Sequence, residues 1–306
     1  MDATLAPGVA VHLAHALVQA VAQNAGVRVL FIKGPALFEQ DLRAPKVSSD
    51  VDVLVDPNRV VELTEAMVAV GWDVKHAPKG PATLGPHSIN LIRSGWACSV
   101  DLHHYFPGIF AAPGDAFEFL WSRRESVVIA ATAVDVPDRA AHACIAGLNF
   151  LKDHVEHPES APIVPVLATF PEGELLEIAD HLRARETLRP VLEAAGVPVG
   201  AGDLSPAELR SWMVRRSTIT TAWLEDIRNA PLLRKPGALW RALWVSKSEL
   251  GPEELASASG FGGMMKVRLA RIAKGFHALP RVARAYATAR KQDSQGRTHA
   301  LNDSGN

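Results

Sequence analysis

Short apolar runs broken by turn residues occupy the front of the chain, and apolar positions spaced three and four apart occupy the back. Val9 to Val21 is apolar but carries His12, His15 and Gln19, the pattern of an amphipathic helix lying on a domain rather than of a signal peptide. Val27-Arg28-Val29-Leu30-Phe31-Ile32 predicts a buried strand, stopped by Lys33-Gly34-Pro35 and followed by a helical Ala36 to Gln40. A second strand is predicted from Asp50 to Val55. Asp56-Pro57-Asn58 then makes a turn in which Asn58 is placed to cap a helix through Val60, Leu63, Met67 and Val70, closed by Gly71. Trp72 to His76 reads as a further short strand. Ser88 to Arg93 and Trp96 to His103 read as a hairpin about a two-residue Ser94-Gly95 turn.

From Asp138 the period lengthens. Asp138 is placed to cap a helix through Ala143, Ile145, Leu148 and Leu151, and two more helices are expected over Glu172 to Arg183 and Glu186 to Ala195. Ser205-Pro206-Ala207-Glu208 is a capping box with proline at the first helical position, opening a long helix toward Ile227. The expected fold class is α+β: a mixed-sheet front and an all-helical back. Residues 1–135 make the α/β domain with its N-terminal helix, 136–291 a helical domain, and 292–306 a polar, disordered tail.

Alternation gives the acids their meaning. Successive strand side chains point to opposite faces, so Asp50 and Asp52 share one face while Val51, Val53 and Val55 enter a core. On the later strand Cys98, Val100 and Leu102 fall on one face, with Ser99, Asp101 and His103 on the other. Neighbouring carboxylates repel unless a cation sits between them, and a hard Mg²⁺ held by carboxylates and substrate phosphates is the usual solution. The strand–turn–helix junction at Lys33-Gly34-Pro35 aims free backbone N–H groups at one point and adds a mobile ammonium, which favours a phosphate. Asp56 reads as a turn residue and stays outside this set.

Composition changes little. The 306 residues are 48% apolar with a formal net charge of −1, which gives no argument for nucleic acid or membrane binding. Cys98 and Cys144 lie among apolar residues and read as reduced core cysteines. No segment is long and apolar enough to span a bilayer, and a cytoplasmic location follows by default. His154-Val155-Glu156-His157 has close spacing but reads as a solvated helix end, and His142 as a packed or rim histidine. A basic stretch carrying Lys266, Arg268, Arg271 and Lys274 has no acid within it; it either grips a polyanion or forms the outer face of a final helix pair.

These motifs resemble those of the DNA polymerase β-type nucleotidyltransferase superfamily, and more narrowly a bacterial nucleotidyltransferase group within it. The resemblance rests on Lys33-Gly34, on Lys46-Val47-Ser48-Ser49-Asp50-Val51-Asp52-Val53-Leu54-Val55, and on Val100-Asp101-Leu102-His103. Two departures stand out: Lys33-Gly34 replaces the Gly-Ser of the wider superfamily, and Lys46 replaces an arginine, keeping the charge but losing the bidentate fork. The resemblance implies transfer of a nucleoside monophosphate from a nucleoside triphosphate to an acceptor hydroxyl or phosphate. It implies Asp50, Asp52 and Asp101 as ligands of two Mg²⁺ ions, with Asp101 also open to a general-base role. Lys33, Gly34, Lys46, Ser48 and Ser49 would face the phosphates. His103, by its shared face with Asp101, is placed either to orient a carboxylate or to contact the substrate. The acceptor stays open among a small molecule, a peptide, a protein and a tRNA. The alternative is a non-catalytic nucleotide- or partner-binding protein, regulator-like, on the same fold. A third reading, a hydrolase metal site at Asp101, His103 and His104, lacks further histidine ligands.

Overall fold

The computed structural model describes residues 5–75, 85–153 and 157–216, with isolated positions beyond at 226–227, 230–231, 234–237, 262–263 and 265–266. The chain forms α1 (Pro7–Ala25), β1 (Val29–Ile32), α2 (Gly34–Glu39), β2 (Asp50–Val55), α3 (Val60–Ala69), β3 (Asp73–Val74), β4 (Ser88–Ile92) and β5 (Ser99–His103). Then come α4 (Pro113–Ser122), the hairpin β6 (Glu125–Ile129) and β7 (Thr132–Val136), and the helices α5 (Arg139–Asp153), α6 (Val164–Leu167), α7 (Glu172–His181), α8 (Arg185–Ala194) and α9 (Pro206–Arg215). The fold is α+β. Its sheet has the order β1-β2-β5-β4-β3, with β2 and β5 parallel and the other neighbours antiparallel.

Alternation sends the strands' apolar side chains into two separate cores. Val29 and Phe31 of β1, Val51, Val53 and Val55 of β2, and Val100 and Leu102 of β5 pack with α1, α3 and the β6–β7 hairpin. Leu30, Ile32 and Leu54 point the other way and join the core of α4, α5, α7 and α8. The acids stand on this second face, beyond the edge of its apolar part.

The helices follow their signals. Asp138 Oδ1 accepts from the Ala141 N–H at 2.8 Å and starts α5, and the reciprocal Ser205–Glu208 capping box starts α9. Residues 217–225 of the expected continuation of α9 toward Ile227 lie outside the described residues. So do the tail from 292, the 154–156 part of the histidine cluster, and the basic stretch apart from a few positions including Lys266.

Several expectations need correction. Ser94-Gly95 is not a two-residue hairpin loop. The ladder opens at Ile92 opposite Ser99, so residues 93–98 connect the strands. A turn does form there, with the Trp96 N–H bonded to the Arg93 carbonyl at 3.2 Å, but only Gly95 of the central pair has positive φ; the primed turns of tight hairpins need it at the first central residue, here Ser94. Relative to that tight turn the register moves by two, which preserves the faces. Asn58 does not cap α3. Arg59 holds that position, and the Asn58 N–H instead bonds Asp56 Oδ1 at 3.1 Å, making Asp56 the turn residue it was expected to be. Of the strand expected over Trp72 to His76, the described residues form Asp73–Val74; Trp72 is wholly buried against Trp96, 5.5 Å between ring centroids, and His76 lies outside the described residues.

Among the described residues the last strand ends at Val136 and only helices follow, and the chain divides into two compact units. One comprises Met1–Ala77 with Gly85–Arg216, the other Pro78–Leu84 with Ser217–Asn306. Helices α5 to α9 share the first unit with the sheet because Cys144, Ile145 and Leu148 pack in the same core as Leu30 and Ile32.

Candidate functional site

The site is built where β2 and β5 run side by side. Their parallel register sets Asp52 opposite Asp101, and Asn90 on β4 lies opposite Asp101 in turn. Ligand atoms of Asp52, Asp101 and His103 all lie within 4.8 Å of one another. Asp50 belongs to the same face, half-buried one pleat earlier, outside that tight group.

Asp52 is only 6% exposed, yet its carboxylate is well served. Oδ1 accepts from Lys33 Nζ at 2.6 Å and from His103 Nε2 at 2.9 Å. Burial pushes the Asp52 pKa up, but the His103 hydrogen bond and the Lys33 charge outweigh it and bring it to about 2. Asp50 moves the other way: burial raises its pKa, and the charge of Asp52 adds to that. Asn90 Nδ2 donates to Asp101 Oδ1. Two buried polar atoms here, Asn90 Oδ1 and His103 Nδ1, have no hydrogen-bond partner.

Lys33 owes its reach to an unusual backbone. It has φ 63 and ψ −157, a region that only glycine adopts freely. Its N–H is not free for a phosphate, as the sequence suggested, because it donates to His142 Nε2 at 2.9 Å. The His142 ring, fully buried on α5, is pushed down to a pKa of about 3 by that burial and is neutral. Its Nδ1 is 2.5 Å from Gln40 Oε1, and Gln40 Nε2 donates onward to the Pro137 carbonyl at 2.8 Å and Glu125 Oε2 at 2.9 Å.

The remaining expected residues lie around this turn. Gly34 has φ 50, and a Cβ there would sit 3.5 Å from Ser48 Oγ and 4.0 Å from the His15 ring. Ser48 Oγ accepts from Arg43 Nη2 at 3.4 Å, and the Ser49 carbonyl accepts the Ser99 N–H at 3.3 Å, tying the loop to β5. Lys46 is exposed, and its carbonyl accepts from Arg43 at 3.1 Å. His15, 1% exposed, donates Nδ1–H to the Val11 carbonyl at 2.7 Å, while its Nε2 is buried without a partner. An aromatic wall of Phe106 and His87 closes on His103 at 5.9 and 5.4 Å between centroids.

Sequence reasoning overlooked Asn90, Arg43 and the His142–Gln40 pair. Asn90 was half within reach: hairpin pairing puts it on the face of Asp101, but the tight turn expected at Ser94-Gly95 would set it opposite Ser99 rather than Asp101. Arg43 and His142 had no local signal, since their partners are distant in the chain.

The donor set fits a divalent cation. Two facing carboxylates with a third on the same face suit a hard ion, and the Lys33 ammonium already sits as a cation on Asp52. The imidazole of His103 adds a nitrogen donor that also suits Mn²⁺ or Zn²⁺.

No family model matches the chain. No curated protein matches it either. Among solved structures it aligns with a tRNA nucleotidyltransferase complexed with a primer tRNA and an incoming ATP analog, at 15% identity and a TM-score of 0.26, covering 93% of this chain and 99% of that one. At that level the likeness carries no functional argument, and the site must speak for itself. No helix among the described residues is long and apolar enough to cross a membrane.

Proposed function

We propose that the protein is a Mg²⁺-dependent nucleotidyltransferase, moving a nucleoside monophosphate from a nucleoside triphosphate to an acceptor hydroxyl or phosphate. One observation carries the reading: Asp52 and Asp101 are in register on parallel strands with Asp50 on the same face. Carboxylates are crowded at some cost in a half-dry site, and phosphoryl transfer is a chemistry that uses such crowding.

In this reading Asp50, Asp52 and Asp101 hold the metal, with His103 orienting Asp52 through its Nε2–H. Two bound ions would neutralise the phosphates and lower the pKa of the acceptor hydroxyl. Lys33 brings a fixed positive charge to the phosphate side, and Gly34 leaves space beside Ser48 for a close approach. Lys46, Ser48 and Ser49 line the loop that leads into the acid row. The acceptor is a small molecule, a peptide, a protein or a tRNA; the basic residues Lys266, Arg268, Arg271 and Lys274 favour a polyanion. A cytoplasmic setting suits a nucleoside triphosphate donor.

The Lys33–Asp52 pair also favours a second reading, a non-catalytic nucleotide- or partner-binding protein, because the buried acid is balanced by the chain's own cation. Calorimetric titration of the four ribonucleoside triphosphates, with and without Mg²⁺, separates the two. Metal-dependent binding that disappears in Asp50→Ala/Asp52→Ala, followed by pyrophosphate release once an acceptor is supplied, is the result expected of a transferase. Binding that ignores both metal and the double substitution would leave the second reading standing.

A further inference from the structure

Lys33 combines two demands that conflict. Its backbone lies where a side chain is strained, yet its ammonium is needed at Asp52, 2.6 Å away. Glycine would meet the first demand and forfeit the second. Something must therefore hold the residue in place.

We infer that His142, remote from the acid row, is a positioning residue that fixes the Lys33 backbone so that the ammonium reaches the acids and the phosphates of a nucleoside triphosphate. The use of Lys33 on a triphosphate rests on the nucleotidyltransferase reading; the geometry does not. His142 Nε2 accepts the Lys33 N–H, which leaves the ring proton on Nδ1, facing Gln40 Oε1. Gln40 is itself fixed, since its side-chain Nε2 donates to Pro137 and Glu125 and its backbone carbonyl accepts from Arg139 Nε at 3.0 Å. A chain of hydrogen bonds thus runs from the start of α5 and from β6 to the one backbone N–H that must not move.

A merely structural role explains this poorly. His142 is 0% exposed within an apolar helix face, where alanine or leucine would pack without a hydrogen-bonding requirement. Its one bond outside the Gln40 network goes to the strained residue. Without that acceptor the Lys33 N–H would be left unpaired, and the turn would relax to a common backbone region, swinging the side chain off Asp52.

Two linked measurements test this on the full chain. The first is NMR of the Lys33 ε-ammonium, whose hydrogen-bonded protons are expected to be slow to exchange in wild type, lost in His142→Phe and retained in His142→Gln, which keeps an acceptor. The second is calorimetry with the Mg-nucleoside triphosphate that wild type binds best. His142→Phe should weaken binding about tenfold or more, the scale of one charge-assisted hydrogen bond. Lys33→Ala/His142→Phe should then be no weaker than Lys33→Ala, because His142 acts through Lys33. A wild-type ammonium signal in folded His142→Phe, or an additive double variant, would overturn the inference. No nucleotide binding by wild type would sink the nucleotidyltransferase reading and the phosphate role of Lys33 with it, leaving the NMR comparison to decide the positioning. Should His142→Phe fail to fold, Gln40→Met and His142→Gln carry the same comparison, with the signal expected to weaken in the former and persist in the latter.

Discussion

Lys33 and Asp52 form a 2.6 Å ion pair whose cation is carried on a backbone suited to glycine. Strain and charge can be separated there. Lys33→Gly and Lys33→Ala both remove the ammonium, but only Gly relaxes the turn. Lys33→Gly should be more stable than Lys33→Ala by about 1–3 kcal/mol in urea unfolding. Equal stabilities would mean that the backbone carries no strain.

Buried neutral histidines make the fold acid-sensitive. His15 is lowered to about 4 and His142 to about 3, in each case chiefly by burial. Both are neutral when folded but protonate near 6.5 once unfolded, so the unfolded state binds more protons below that pH. Stability is full above about pH 6.5 and falls as the pH drops toward the folded values, by about 1.4 kcal/mol per pH unit for each histidine. Asp52, lowered to about 2 against burial by His103 and Lys33, adds its loss only below the ordinary aspartate value of 3.8. His87, lowered to about 3 chiefly by burial, acts in the same sense, so unfolding free energies measured from pH 6 to pH 4 should slope with about one proton fewer in His142→Gln than in wild type. An unchanged slope in that variant would contradict the assignment.

The nitrogen donor in the acid cluster should leave a metal signature. Asp101→Asn is expected to weaken Mn²⁺ binding, followed by electron paramagnetic resonance, by at least about tenfold. His103→Ala should weaken Mn²⁺ more than Mg²⁺, since imidazole favours the transition ion. Equal losses for the two ions would place His103 outside the coordination shell and leave it as an Asp52 partner only.

The β6–β7 turn offers a stabilising change. Ala130 and Ala131 have φ of 50 and 58, and Ile129 pairs directly with Thr132. That is a two-residue mirror-image turn made without its preferred residues. Ala130→Asn/Ala131→Gly should raise stability by about 1–2 kcal/mol. No gain in chemical denaturation would argue that the alanines are not strained.

The contrast between the two hairpins explains what the sequence could and could not reveal. Ser94-Gly95 has the composition of a tight turn and is not one, whereas Ala130-Ala131 has none of it and is. Turn composition is a local preference, and here ladder pairing and the packing of buried Trp72 against the partly buried Trp96 override it. Faces were more legible than turns. Alternation places Asp50 and Asp52 together, and Asp101 with His103, because a period of two survives a register shift of two. The capping residues Asp138 and Ser205 act on their own next turn and were equally readable. The hydrogen bonds of Lys33, Arg43 and His142 were not, since Lys33 meets His142 only after α5 folds back over β1 and α2.

The sheet's double-sided first strand has a thermodynamic consequence. Val29 and Phe31 belong to one core, Leu30 and Ile32 to the other, so β1 is a party wall between two rooms. Neither room can be emptied while the wall stands, and neither survives its removal. Melting of the unit that contains the sheet should then be a single event, with α1 and α7 lost together although they lie in different cores. Asp50 and Asp52 are carried on the adjoining strand of that wall, so their alignment draws on both sides at once.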